Sequence, residues 1–199
     1  MCSSDLYCRA PAGVHPALTK FQLWRVPFNG GDGGKGEPLP HVHDEEAKTG
    51  EPKSSYYPRF SPNGKWFTFT RSDGGSLIKS SSDIWIMPAD FSEAPRKLQS
   101  NVEHAADSWY SWSSNGRWIV FASKRDDGVF ARLYLTHIDE DGDASPPVAL
   151  PLSDPPMMSF NIPEFVARVP DVTERKLYDG VRVENQAVMV GKGSTHDAE

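Results

Sequence analysis

The chain contains 199 residues with a net charge of −6, and 38% of its residues are hydrophobic and 11% aromatic. This share of apolar residues excludes an intrinsically disordered chain. The chain is acidic and has no cluster of basic residues, so the sequence does not predict a nucleic-acid-binding protein. No stretch of about eighteen apolar residues occurs, so the sequence predicts no helix that spans a membrane.

Residues 1–19 are assigned to an N-terminal segment. Residues 1–6 match the translation of a common short-read sequencing adapter. We hypothesise that they are an assembly artefact and that the gene begins further upstream, which re-sequencing of the locus tests. Cys2 and Cys8 lie away from any histidine partner, so they predict neither a disulfide framework nor a zinc site.

Residues 20–50 are predicted to contain an incomplete structural unit and a linker. Two strands are expected, near 20–28 and 37–40, because Gln22–Val26 alternate polar and apolar residues around Trp24. The glycines of 31–36 formally match a dinucleotide-binding fingerprint. A proline-containing segment follows them instead of a helix, so they predict a hairpin loop and no cofactor.

A repeat dominates the middle of the chain. Residues 60–69 (FSPNGKWFTF) correspond to residues 112–121 (WSSNGRWIVF), and Gly64 and Gly116 are 52 residues apart. Each copy consists of an aromatic residue, an Asn-Gly turn and an alternating strand, which is a strong hairpin signal. A period of this length is typical of propellers, solenoids and arrays.

Two complete units of four antiparallel strands follow from this repeat. The unit at 51–100 has predicted strands near 56–60, 65–71, 82–88 and 95–99. The unit at 101–152 has predicted strands near 108–112, 117–123, 131–138 and 147–151. Four antiparallel strands form one blade of a β-propeller. The predicted fold class is therefore all-β, with two complete blades and a partial one; an extended array of stacked sheets is the alternative.

Two and a half blades do not close a ring, because propellers typically have four to eight blades. We therefore expect the chain to be the C-terminal part of a larger propeller, or to assemble with another chain, for example with a second copy of itself through an uncovered blade face. The aromatic residues expected to contribute to that face are Trp66, Phe69, Trp85, Trp118 and Phe121. Residues 153–199 are assigned to a connector and tail, with two weak strand patterns in 171–190 and a disordered end.

Two acidic or histidine-rich segments have the residue types of metal sites. Zinc ligands of the imidazole and carboxylate type occur together at His41, His43 and the acidic residues 44–46. Because this segment lies in a polar linker, a solvated loop is favoured over a zinc site. Residues 139–143 resemble the start of a calcium loop. Leu150 stands where an EF-hand has its glutamate, so a turn is favoured and no metal is predicted.

His104, Asp107 and Ser108 have the side chains of a catalytic triad. No Gly-x-Ser-x-Gly elbow occurs in the chain, so we predict no catalytic constellation and expect these residues at a strand mouth. Ligand surfaces of propellers lie at the ends of the central channel. The predicted rim or partner contacts are Arg59, His104, Asp107 and Lys124.

The segments 57–66 and 83–87 resemble the WD-like propeller repeat of TolB-type bacterial proteins, and the resemblance extends over residues 20–166. Ser114 stands where that family usually has proline. The resemblance implies a binding platform in the periplasm or cell envelope, without catalytic residues in the blades. The expected function is thus non-catalytic binding of a protein or polysaccharide partner. The alternative is the propeller domain of a prolyl-peptidase-like hydrolase whose catalytic part lies outside this chain.

Overall fold

The computed structural model describes residues 4–15, 18–43, 53–75, 79–151 and 158–166. These residues form strands and loops, with one short 3₁₀ turn at Asn29–Gly31. The strands are β1 (Ser4–Arg9), β2 (Gln22–Pro27), β3 (Glu37–Pro38), β4 (Ser54–Phe60), β5 (Trp66–Ser72), β6 (Asp83–Pro88), β7 (Arg96–Lys97), β8 (Asp107–Trp112), β9 (Trp118–Ser123), β10 (Arg132–His137) and β11 (Val148–Ala149). No helix within these described ranges is long and apolar enough to cross a membrane.

The strands form three antiparallel sheets. The second sheet has the strand order β4-β5-β6-β7, and the third sheet has β8-β9-β10-β11. In both, consecutive strands are neighbours, so each sheet is an up-and-down unit of the kind that builds a propeller blade. The predicted all-β fold with two four-stranded antiparallel blades is therefore confirmed.

The first sheet contains one strand more than predicted. β2 and β3 occupy the predicted positions, and β1 pairs antiparallel with β2 from Ser4–Pro27 to Arg9–Gln22. The sequence of β1 (SDLYCR) alternates only weakly between polar and apolar residues, because two of its six residues, Asp5 and Arg9, are charged. The prediction of only two strands for this unit was wrong for that reason.

The two copies of the repeated turn have the same hydrogen bonds. Ser61 Oγ donates to Asn63 Oδ1 over 2.7 Å and accepts from Trp66 N over 2.9 Å. In the second copy, Ser113 Oγ donates to Asn115 Oδ1 over 2.7 Å and accepts from Trp118 N over 3.0 Å. In each turn, the serine side chain thus bonds a backbone N–H group that would otherwise lack a partner, and the asparagine side chain accepts the serine hydroxyl hydrogen.

The two turns also contact each other, which makes their glycines unequal. Asn63 Nδ2 donates to the Gly116 carbonyl oxygen over 3.2 Å. Both glycines have positive φ, 72° for Gly64 and 65° for Gly116. A Cβ atom on Gly116 would lie 2.5 Å from Asn63 Cγ, whereas one on Gly64 would have no atom within 4 Å.

We expect Gly116→Ala to destabilise the protein more than Gly64→Ala. Each variant adds the strain of alanine at positive φ, about 1–2 kcal/mol, and Gly116→Ala adds an overpacking cost of about 1–3 kcal/mol. Urea unfolding of both variants measures the difference. Equal losses would contradict the contact, and Asn63→Ala in the Gly116→Ala background should recover part of the extra loss.

Two hydrophobic cores lie between the sheets. The first joins the first and second sheets and consists of Leu23, Leu39, Val42, Phe67, Phe69 and Met87. The second joins the second and third sheets and consists of Ile84, Ile86, Leu98, Tyr110, Trp112, Ile119, Phe121, Tyr134 and Ile138. Each sheet therefore gains its stability by covering its neighbour, as stacked repeat units do.

The aromatic residues predicted for an uncovered face behave differently from one another. Phe69 and Phe121 are fully buried in the two cores, so that part of the prediction was wrong. Trp66 and Trp85 are partly buried, and Trp118 is 38% exposed. For the third sheet the difference follows the strand alternation: Phe121 points toward the preceding sheet, whereas Trp118, three residues earlier at the start of β9, lies on the other face.

The described part of the connector lies against the third sheet. Phe160 N donates to the Ala131 carbonyl oxygen over 3.0 Å, and Ser111 Oγ donates to Glu164 Oε2 over 2.9 Å. Pro163 between these contacts is buried. The predicted strand patterns in 171–190 and the predicted disordered end lie outside the described residues.

Candidate functional site

The predicted rim residues fall at two different ends of the strands. Asp107 is the first residue of β8, and Lys124 follows β9, where its backbone N donates to the Ala106 carbonyl oxygen over 3.1 Å. His104 lies in the loop before β8 and its side chain is 90% exposed. Arg59 stands near the last residue of β4, the strand equivalent to β8, and therefore lies at the opposite end.

Arg59 is held by neighbours at its own end of the sheet. Its guanidinium donates to Tyr57 Oη over 2.8 Å and forms an ion pair with Glu164 over 2.5 Å. Its pKa is raised, although burial opposes this, because the hydrogen bond and charge of Tyr57 and the carboxylate of Glu164 favour the charged form. Arg59 therefore fastens the connector to β4.

Asp107 is a buried structural carboxylate. Its side chain is fully buried, and Arg125, which is 12% exposed, donates to Asp107 Oδ1 over 2.8 Å. Asp107 Oδ2 accepts from Val102 N over 2.7 Å. Burial raises the pKa of the Asp107 carboxyl, while hydrogen bonds from Ser123 and Arg125 act in the opposite direction. Arg125 also donates to the Ser100 carbonyl oxygen, so the pair ties β8 and β9 to the loop that precedes them.

An arginine stacked on aromatic rings recurs in all three sheets, a feature that the sequence analysis missed. Arg71 lies 5.1 Å from the Phe69 ring centre and 4.9 Å from that of Trp85. Arg125 lies 5.2 and 4.4 Å from the corresponding rings, Phe121 and Tyr134. Arg9 lies 4.5 Å from Trp24. In the repeat, Arg71 aligns with Ser123, two residues before Arg125. Comparison of aligned residues therefore does not reveal this cation–π contact.

A polar cleft of about 460 Å³ opens at one end of the second sheet, opposite its Asn-Gly turn. Its walls come from the ends of the four strands and from the loop that leads into β8. The lining residues are Lys53, Arg71, Ser72, Asp73, Ser80, Ser81, Asp83, Trp85, Lys97, Glu103 and His104. Of the predicted rim residues, this cleft includes His104.

Ion pairs and hydrogen bonds link several residues of the cleft. Lys97 Nζ lies 2.6 Å from Asp83 Oδ2, and Lys53 pairs with Asp73. The hydrogen bond from Lys53 holds the pKa of the exposed Asp73 carboxyl below its ordinary value. Arg71 donates to the Val42 carbonyl oxygen over 3.0 Å and to Ser55 Oγ over 3.1 Å. The floor is therefore organised, whereas Glu103 and His104 at the mouth are nearly fully exposed.

The segments considered as metal sites have other local roles. Val42 is fully buried in the first core, and the His43 ring packs edge-on against Trp24 with ring centres 5.6 Å apart. Residues 44–46 lie outside the described residues. Asp139 Oδ1 accepts from the backbone N of Asp141 over 3.0 Å and of Asp143 over 2.8 Å, which forms the expected turn. Within the described ranges, no group of three or more His, Cys, Asp or Glu side chains is placed to hold a metal ion.

The structure does not assemble the three triad-type side chains. The carboxylate of Asp107 faces Val102 and Arg125, as given above. Ser108 Oγ hydrogen-bonds Thr70 Oγ1 over 3.2 Å in the buried contact between sheets. The His104 imidazole lies 3.6 Å from Glu103 at the surface. This arrangement lacks the base-to-nucleophile hydrogen bond that a triad requires.

No family model matches the chain, and no curated protein matches it. Solved structures that resemble it include a TolB protein from Agrobacterium tumefaciens, with 21% identity, a TM-score of 0.45, and coverage of 74% of this chain and 44% of that one. Puromycin hydrolase has 18% identity, a TM-score of 0.46, and coverage of 72% and 23%. A variant of puromycin hydrolase in complex with PGG has 16% identity, a TM-score of 0.47, and coverage of 72% and 21%. The chain thus spans less than half the length of each of these proteins.

Proposed function

We propose that the chain is part of a non-catalytic β-propeller scaffold that binds a protein or polysaccharide partner in a bacterial cell envelope. The observation that carries this proposal is the polar cleft of the second sheet. The resemblance of the repeat residues to TolB-type proteins supports the periplasm or cell envelope as its location. The alternative stated above, a propeller domain of a hydrolase, stays a prediction.

The size and chemistry of the cleft suit a hydrogen-bonding ligand. About 460 Å³ lies within the range of known ligand sites, which is about 300–1,000 Å³. Charges of both signs line the cleft, from Lys53 and Lys97 to Asp83 and Glu103. Because Arg71 is held by the Val42 carbonyl oxygen and Ser55 Oγ before a ligand arrives, a contact with this side chain costs little additional side-chain entropy. Peptide segments and sugars both offer the donors and acceptors that such a surface requires.

We expect the double variant Asp83→Ala/Lys97→Ala to lose partner binding. Removing both partners of the pair leaves no uncompensated charge in the wall, so the fold should persist. Binding of the full chain to an array of immobilised bacterial envelope polysaccharides, and to peptides from a digest of periplasmic proteins, measures the effect. At least a tenfold loss of affinity for the bound probe is expected.

The matched control is Arg117→Ala/Glu140→Ala, which removes an exposed ion pair of 3.5 Å at the opposite end of the strands. This variant should bind as the unmodified chain does. If neither array retains the full chain, or if the two double variants bind equally well, the cleft is not the binding site. Urea unfolding of both variants checks that any loss of binding is not a loss of folding.

A further inference from the structure

One face of the second sheet carries four side chains of the polar cleft. Arg71 of β5 stands opposite Asp83 of β6, and Lys97 of β7 stands opposite Trp85 of β6. Asp83 and Trp85 are two residues apart on one strand, and directly opposed residues of neighbouring strands share a face. All four side chains therefore lie on the same side of the sheet, at positions that the strand pairing fixes.

The ion pair between Asp83 and Lys97 keeps further hydrogen-bonding capacity. Lys97 Nζ lies 2.6 Å from Asp83 Oδ2, and Asp83 Oδ1 accepts no hydrogen bond from the residues that the structure describes. An ammonium group has three donors, and the carboxylate engages one of them. The Asp83 side chain is 16% exposed and that of Lys97 is 60% exposed. A carboxylate held in the wall thus stands beside an ammonium group that a ligand can contact.

The pair is a feature of the second sheet alone and not of the repeat. The equivalent positions in the other two sheets follow from the strand registers, because the central aromatic residues of the three sheets correspond. These positions are occupied by Gln22 and Pro38 in the first sheet and by Arg132 and Ala149 in the third. Two sheets of the same architecture form without the pair, so the fold does not require it.

The other charged groups of the cleft already have partners. Lys53 pairs with Asp73, and Arg71 donates to the two oxygen atoms given above. At the mouth, the His104 imidazole lies 3.6 Å from Glu103. Each lysine and arginine of the described lining therefore has an acceptor, and an anionic ligand would have to displace one of these contacts. The cleft favours a ligand that is uncharged but rich in hydrogen-bonding groups.

The strand pairing disfavours a peptide as that ligand. Peptides that bind by strand addition need an open sheet edge. β5 and β6, which carry three of the four side chains, have a neighbouring strand on both sides, and β7 at the edge has two residues. A peptide that bound through charged side chains would again compete with the existing ion pairs. A sugar needs neither an edge nor an unpaired charge.

We propose that the cleft binds an uncharged sugar unit, and that Asp83 and Lys97 recognise two hydroxyl groups on neighbouring ring carbons. One hydroxyl donates to Asp83 Oδ1 and the other accepts from Lys97 Nζ. Hydroxyls on neighbouring carbons lie side by side near hydrogen-bonding distance, as the carboxylate and the ammonium do. This inference rests on the function proposed above, because it names the ligand of the same cleft.

The first test is affinity electrophoresis of the full chain in gels that contain dextran, pullulan or galactomannan, which are neutral polysaccharides with hydroxyls on neighbouring carbons. We expect at least one of them to retard the chain. Treatment of that polysaccharide with periodate cleaves the bond between the two hydroxyl-bearing carbons, and borohydride then reduces the aldehydes to alcohols. The product is still uncharged, and its affinity should be at least tenfold lower.

The second test changes the protein. Asp83→Ala/Lys97→Ala should bind the retained polysaccharide at least tenfold more weakly than the unmodified chain. The matched control is Arg25→Ala/Glu37→Ala, which removes an ion pair of 2.6 Å between the last two strands of the first sheet, outside the cleft. The control should bind as the unmodified chain does. Urea unfolding of both double variants checks that each is folded.

The outcomes separate this inference from the proposed function. If alginate, an anionic polysaccharide, or a peptide of the array is retained and none of the three neutral polysaccharides is, the inference is overturned and the proposed function stands. If no probe of any kind is retained, both fail. Equal affinity before and after periodate treatment, or equal affinity of the two double variants, would overturn the role of the ion pair.

Discussion

Replacing Asp107 with alanine is expected to lower the free energy of unfolding by about 3–5 kcal/mol. The loss arises from the partners that the carboxylate leaves behind. Arg125, only 12% exposed, would retain its charge without the acceptor now 2.8 Å away. Val102 N would lose an acceptor 2.7 Å away. Urea unfolding of the full chain, followed by tryptophan fluorescence and circular dichroism, measures the change.

The control for this experiment is Glu140→Ala. It removes the acidic partner of Arg117, but both side chains are more than half exposed and their closest N–O distance is 3.5 Å. Exposed pairs contribute about 0–1 kcal/mol, so a small change is expected. If Asp107→Ala and Glu140→Ala have equal effects, Asp107 does not hold the loop between the second and third sheets as the structure indicates. The variant Asp107→Asn, which keeps one acceptor for Val102 N, should fall between the two.

The repeat explains why the strands were predictable from the sequence. The turns at 61–64 and 113–116 contain Ser, Asn and Gly at the same spacing, and each residue type has a local reason to be there. Because a hairpin is specified by its own residues, the predicted strands of the two blades agree with the observed ones to within a few residues.

The site was less predictable because its geometry depends on contacts between distant residues. Asp107 was expected at an open rim, and only the position of Arg125 after β9 makes it a buried partner. Arg59 and His104 were both predicted as rim contacts, although equivalent strands place them at opposite ends. β1 was missed because a charged edge strand carries little alternation, and its pairing depends on β2.

The burial of Phe121 leads to the second large effect. Phe121 is fully buried between the second and third sheets, and its ring centre lies 5.9 Å from that of Tyr134 in a stacked arrangement. Arg125 packs over the same ring. Phe121→Ala should therefore lower the free energy of unfolding by about 3–5 kcal/mol, from lost transfer energy and from the cavity left behind. Urea unfolding measures this loss, as for Asp107→Ala.

Two variants on the same strand separate this cavity effect from a general sensitivity of β9. Phe121→Leu keeps an apolar side chain in the core and should cost less than Phe121→Ala. Trp118→Ala removes a larger ring that is 38% exposed, so it should also cost less, although more atoms are lost. A Trp118→Ala loss equal to that of Phe121→Ala would contradict a core between the sheets. If Phe121→Ala instead causes the largest loss of unfolding free energy, with smaller losses for Trp118→Ala and Phe121→Leu, the two blades stabilise each other through this contact. The reason is that the largest loss then belongs to the residue that points at the neighbouring sheet.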